Sequence, residues 1–145
     1  MAGIVHFEIP ADDQGRATEF YKAAFDWNIN AMPDMDYNVV TTTPTDEKTG
    51  MPKTPGAING GLFAREGELK TPILTVDVED IDASLAQIES LGGAVVKPKD
   101  AIPGMGYYAY FKDTEGNVLG LWQNAEPAGG TPGAGADTAA NDIGA

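Results

Sequence analysis

Hydrophobic residues recur along this chain with two different periods, and the switches between them lay out its elements. From Ile4 to Ile9 the alternation is that of a strand, with Val5, Phe7 and Ile9 on one side and Ile4, His6 and Glu8 on the other. The period then lengthens. Ala17, Phe20, Tyr21, Ala24 and Phe25 fall at helical spacing, and Asp12 or Asp13 stands where an N-cap is needed, so an amphipathic helix is expected to pack on the Val5, Phe7 and Ile9 face. Strands are expected near Trp27–Ala31 and Tyr37–Thr43, followed by a breaker-rich loop from Pro44 to Gly56 and a fourth strand at Ala57–Ala64.

The pattern then restarts. Pro72–Val78 reads as a strand, Asp80 as an N-cap, and Ile81, Leu85, Ile88 and Leu91 as a helical stripe halted by Gly92-Gly93. Three more strands are expected at Ala94–Lys97, Tyr107–Lys112 and Val118–Gln123. The element order βαβββ thus occurs twice, offset by roughly 67 residues, and makes an α+β architecture. Residues 1–124 form the folded domain in this reading. From Ala125 to Ala145, twelve of the residues are Ala or Gly and none is Lys or Arg, a composition expected to stay disordered because it has too little apolar surface to offset its ordering entropy.

Composition narrows the chemistry. The 145 residues include no Cys, which removes disulfides, thiolate metal sites and cysteine nucleophiles. They include one His, which limits any imidazole-based metal cage. Twenty-two acidic against nine scattered basic residues give a charge of −13, which repels nucleic acid and anionic membranes and reads as a solvated, salt-tolerant surface or as attraction of a cationic ligand. With no apolar run of membrane-spanning length and no signal-like start, the expected location is cytoplasmic.

Four segments in order resemble the vicinal oxygen chelate superfamily of glyoxalases, bleomycin-resistance proteins and extradiol dioxygenases. They are IVHFEIPADDQGRATEFYKAAFDW, INGGLF, VDVEDIDASLAQIESLGG and GMGYYAYFKDTEGNVLGLWQ, and together they span about residues 3 to 124. The resemblance implies tandem βαβββ modules that form a cupped eight-stranded mixed sheet, with helices on the convex face and a small-molecule site inside. It also implies a homodimer in many cases.

In metal-dependent members of that superfamily four ligands point into the cup. By resemblance the first position is His6, the second falls at or beside Asn59, the third at or near Thr71, and the fourth at Gly120. Only His6 is a strong ligand, so no metal is favoured. A divalent ion held by His6 and Glu8, two residues apart on one strand face, stays open. Without a metal, the expected site is an apolar cup. Tyr108, Val118, Gly120 and Trp122 would line it, Asn59 and Thr71 would add polar groups, and one or more of Tyr107, Tyr108 and Tyr110 would face inward.

Three functions follow as expectations. The first is metal-free binding of a small organic molecule. The second is a glyoxalase-type lyase or isomerase using His6 and Glu8 as acid and base. The third is a subunit of a larger assembly. Ser84 and Ser90, the only serines, fall on the second helix away from His6, so no serine nucleophile is expected. Gly60-Gly61 is read as a bulge and Gly104-Met105-Gly106 as a turn.

Overall fold

A computed structural model of the chain describes residues 1–125; the stretch expected to be a disordered tail lies, beyond Ala125, outside the described residues. The elements are β1 (Ile4–Ala11), α1 (Gln14–Phe25), β2 (Asn28–Ala31), β3 (Asn38–Thr41), β4 (Gly60–Ala64), β5 (Ile73–Asp77), α2 (Ile81–Ser90), β6 (Ala94–Ile102), β7 (Gly106–Lys112) and β8 (Val118–Asn124). This is the doubled βαβββ order. The strands form one open eight-stranded sheet in the order β2-β3-β4-β1-β5-β8-β7-β6.

The two modules meet where β1 runs antiparallel to β5, and each of these central strands has a parallel partner from its own module, β4 for β1 and β8 for β5. Every other pairing is antiparallel. Because side chains alternate along a strand, the sheet has one face for helices and one for the cup. On the helix side, Ala11, Ile29, Val40 and Leu62 pack with Phe7, Ala17, Tyr21 and Trp27 in the first module. In the second, Ile81, Leu85, Ala109 and Leu121 pack with Tyr107 and Phe111. On the cup side Phe63, Ile73 and Tyr110 pack with Tyr37, Tyr108 and Val118.

Both helices begin at an Asp whose carboxylate accepts the backbone N–H three residues on: Asp13 from Arg16 and Asp80 from Ala83. They differ in what they bury. α2 sinks Ile81 and Leu85 into the core, whereas α1 has no fully buried residue.

Most strand ends shift by one or two residues from the sequence reading, and the larger departures fall in β4 and β6. β4 begins only at Gly60, because Asn59 turns its side chain back to the β3 end, where its Oδ1 accepts the Thr42 N–H at 2.8 Å. Gly60 and Gly61 form no bulge: they pair in register with Phe7 and Glu8 on one side and with Val40 and Val39 on the other. β6 continues through Pro98 to Ile102, since a proline is tolerated on an edge strand, and its register with β7 shifts on either side of Lys97.

The burial pattern gives a stability test. Leu85 is 6% exposed among apolar neighbours, so Leu85→Ala is expected to cost about 2–5 kcal/mol in urea unfolding, with the slope of the transition unchanged.

Candidate functional site

The concave face encloses a cavity of about 690 Å³, lined chiefly by aromatic and aliphatic side chains. Strand register determines its floor. His6 stands opposite Thr75, Thr75 opposite Gly120, and Gly120 opposite Tyr110, so these four positions form one row across the middle of the sheet. Glu8, two residues along β1, projects from the same face.

Glu8 is the centre of the site. Its carboxylate is 6% exposed, and each oxygen accepts a phenol: Oε2 from the Tyr37 hydroxyl at 2.8 Å and Oε1 from the Tyr110 hydroxyl at 2.6 Å. Nε2 of His6 lies 2.9 Å from the Tyr37 oxygen. With the one phenolic proton of Tyr37 given to Glu8, its oxygen accepts from His6, which places an imidazole proton on Nε2. The result is a continuous chain of hydrogen bonds, His6 to Tyr37 to Glu8 and back from Tyr110.

Burial drives both phenols away from ionisation. The Tyr37 hydroxyl is held well above the usual tyrosine range, first by loss of water and then by the neighbouring Glu8 charge. Tyr110 is raised by the same two causes in the same order. Tyr108, less buried, is raised mainly by burial, although Lys97, 5.6 Å from its ring centroid, pulls the other way.

Tyr37 reaches Glu8 because β4 has no side chain in its path. A Cβ on Gly61 would come within 1.7 Å of the Tyr37 hydroxyl oxygen, so the phenol occupies the space a β4 side chain would fill. The ring stacks on Phe63 at 6.2 Å between centroids and 12° between planes. Gly120 is tight as well, since a Cβ there would stand 2.9 Å from Oγ1 of Thr75.

The sequence-predicted residues separate accordingly. His6, Glu8, Tyr108, Gly120 and Trp122 line the cavity. Val118 packs on the Phe63, Ile73 and Tyr110 cluster behind the wall. Asn59 is fully buried, committed to Thr42, and not among the cavity-lining residues, and its Nδ2 has no hydrogen-bond partner among the described residues. Thr71 is exposed in the bend before β5; the threonine that the register brings beside His6 is Thr75. Sequence reasoning did not single out Tyr37, Thr75 or Phe63. For Tyr37 the usable signal was the Gly-Gly pair inside a strand, which marks close approach of another group.

The donor groups around His6 and Glu8 decide whether a divalent ion could be held there. Among the described residues, no three His, Asp or Glu side chains converge on a point. Beside His6 and Glu8 stand Gly61, Thr75 and Gly120, and both Glu8 oxygens already accept phenols. This donor set does not fit the superfamily's metal centre.

Charge at the mouth is uneven. Asp36, Glu66 and Glu68 are among the residues lining the cavity, against the single lysine Lys97. Glu68 is paired with Lys112, and Lys97 with Asp100 at 3.4 Å. That leaves Asp36, Glu66 and the buried Glu8 without a lysine or arginine ion pair among the described residues.

A sheet of paired βαβββ modules with helices on one face and a cavity on the other is a fold shared with known proteins. The family model for the bleomycin resistance protein-like N-terminal region matches residues 4–43. A mycobacterial protein provisionally named glyoxylase CFP32, from Mycobacterium bovis and Mycobacterium tuberculosis, is 27% identical over 130 residues. That alignment takes in 86% of this chain and 46% of the relative, so the chain spans about half the length of the curated relatives it matches.

Among solved structures, methylmalonyl-CoA epimerase from Mycobacterium tuberculosis is similar at a TM-score of 0.53 and 18% identity, over 86% of this chain and 89% of that one. The hypothetical protein BH1468 of Bacillus halodurans is similar at a TM-score of 0.55 and 9% identity, over 87% and 96% of the two chains. At such identities these structures speak for the fold alone. The chain is thus similar to the vicinal oxygen chelate superfamily in its glyoxalase/bleomycin-resistance-like fold.

The phenol network predicts an alkaline limit. Both phenols are raised in the folded state, so their contribution is complete below the unfolded tyrosine value of about 10 and declines as pH climbs above it, where the unfolded chain ionises first. Absorbance titration near 295 nm should show Tyr37 and Tyr110 silent until the chain unfolds, and Glu8→Gln should bring their ionisation to lower pH.

Proposed function

We propose that this chain binds a small organic molecule in the cup without a metal ion, and that the preferred ligand carries a positive charge beside an apolar body. The observation that supports this most is the caged Glu8. The buried carboxylate accepts from two phenols and has no lysine or arginine ion pair among the described residues, and an ammonium in the cavity would add a full positive charge beside it. Tyr37, Tyr108, Tyr110, Phe63 and Trp122 offer the aromatic faces on which such a cation is stabilised. The volume suits a drug-sized or metabolite-sized ligand, and the acidic mouth would raise the local concentration of cations. A net charge of −13 also weighs against nucleic acid or an anionic membrane as partner.

A second reading is an acid/base lyase or isomerase of the glyoxalase type, and the hydrogen-bonded chain through His6, Tyr37 and Glu8 favours it. Such a chain can hold a proton at His6 Nε2 and relay it through the Tyr37 hydroxyl toward Glu8. Both readings use the same residues and differ in turnover.

The test is thermal stabilisation in the presence of EDTA, with matched sets of aryl and alkyl amines, quaternary ammonium compounds and their uncharged isosteres. The amines should raise the melting temperature by several degrees at saturating concentration, and Glu8→Gln should remove the preference for them over the isosteres. Equal stabilisation by charged and uncharged members would defeat the charge preference, and stabilisation by none of them would defeat the binding reading. Chemical conversion of a stabilising ligand, lost in His6→Ala and in Glu8→Ala, would establish the second reading.

A further inference from the structure

The two modules repeat one plan, so each serves as a control for what the other needs in order to fold. β6 of the second module is the counterpart of β2 in the first. The β2–β3 ladder runs unbroken from Asn28, opposite Thr41, to Ala31, opposite Asn38. The β6–β7 ladder slips twice. Val95 is opposite Phe111 and Lys97 opposite Tyr110, so β6 holds one extra residue at Val96; a second falls at Pro98-Lys99, before Asp100 meets Tyr108. The fold does not require these bulges, and their effect is to aim Lys97. In a regular strand, neighbouring side chains face opposite ways. Val95 packs on the helix side and Val96 on the cup side, so an unbroken strand would return Lys97 to the helices. Instead Lys97 lines the cavity, opposite the Tyr110 whose hydroxyl binds Glu8. Lys99 does go to the helix side, where it meets Asp82 of α2 and the Tyr107 ring.

Lys97 is the only lysine or arginine among the cavity-lining residues, and a wall of two rings separates it from Glu8. Its Nζ lies 5.6 Å from the Tyr108 ring centroid, Tyr108 meets Tyr110 edge-on at 5.9 Å, and the Tyr110 hydroxyl is 2.6 Å from Glu8. We infer that Lys97 is a second charge-recognition point of the cup, and that the ligand is a zwitterion whose ammonium at Glu8 and carboxylate at Lys97 are held apart by an apolar spacer. The inference rests on the cation-binding reading of Glu8 and extends it to the other end of the ligand. An α-amino acid, with both charges on one carbon, is too short to meet both groups across the two rings. The present partner of Lys97 is easily exchanged. Asp100 stands 3.4 Å away, the two side chains are 40% and 56% exposed, and such a pair holds weakly. When the lysine turns to a ligand, Asp100 keeps the Ala101 N–H, which it accepts at 2.8 Å. Its charge beside Lys97 also disfavours a doubly charged phosphate more than a carboxylate.

Isothermal titration of the full chain in EDTA tests the inference. The probes are 4-(aminomethyl)benzoate and its homologues with two and three methylenes, each beside the matching primary carboxamide, which keeps the ammonium and the ring and loses the anion. The best-fitting zwitterion should bind about tenfold tighter than its carboxamide, the worth of one charge-assisted hydrogen bond. Lys97→Gln should bring the pair to equal affinity, and Lys97→Glu should make the carboxamide the tighter of the two. Lys99→Gln, on the helix side, should keep the tenfold preference. Carboxamides that bind the wild type as tightly as their zwitterions, or a preference that survives Lys97→Gln, would overturn the inference and leave the cation-binding reading standing. The comparison within the wild type decides the matter even if a variant fails to fold. Binding of neither series would sink both.

Discussion

A carboxylate taken out of water constrains the whole concave face. Glu8 is nearly inaccessible, and a buried charge left without partners costs several kcal/mol. The chain meets that cost with two phenols from distant places, Tyr37 at the end of the β2–β3 connection and Tyr110 on β7. The Tyr110 bond joins positions 102 apart in sequence and crosses from one module to the other. The interaction therefore ties the modules together on the cup side, as the β1–β5 pairing does through the backbone. A single acidic side chain thus sets the identity of its neighbours, the charge of the cavity and the register that brings them together.

Much of the fold was legible because its signals are local. The period-2 and period-3.6 stretches, the Asp caps at Asp13 and Asp80, and the Gly92-Gly93 stop all act over a few residues, and the elements appear where those patterns put them. The site was legible only along strands. From β1 the pattern put His6 and Glu8 on one face, and from β8 it put Gly120 and Trp122 inward, since alternation settles direction within a strand. It did not extend across strands. Thr75 became the neighbour of His6 through a β1–β5 register that includes a shift between Ile4 and His6, and no pattern in the β5 sequence announces that shift. Asn59 turned away from the cup to bind Thr42, a contact between a loop residue and a strand end that periodicity does not describe. Tyr37 stands just before β3 and enters the cup by occupying another strand's space.

The duplicated plan is symmetrical in topology and asymmetrical in use. With the caps at Asp13 and Asp80 aligned, Glu8 of the first module corresponds to Thr75 of the second, and both face the cup. The first module supplies the acidic and imidazole groups, while the second supplies Tyr108, Tyr110 and Trp122 as aromatic walls. The helices divide in the same way. α2 is fastened by Ile81 and Leu85, and α1 keeps its large aromatics near the surface. Each half has been released from one demand that the other satisfies.

Gly61 and Tyr37 compete for a single volume. Of the two positions, separated by 24 residues, one can project a side chain toward Glu8 only while the other does not. Residue 61 is therefore not free to gain a side chain while the phenol stays in place. Among chains descended from this one, a side chain gained at residue 61 and a phenol lost at residue 37 form one coupled step, and the group that ends up beside Glu8 changes its tether from an edge hairpin to an inner strand.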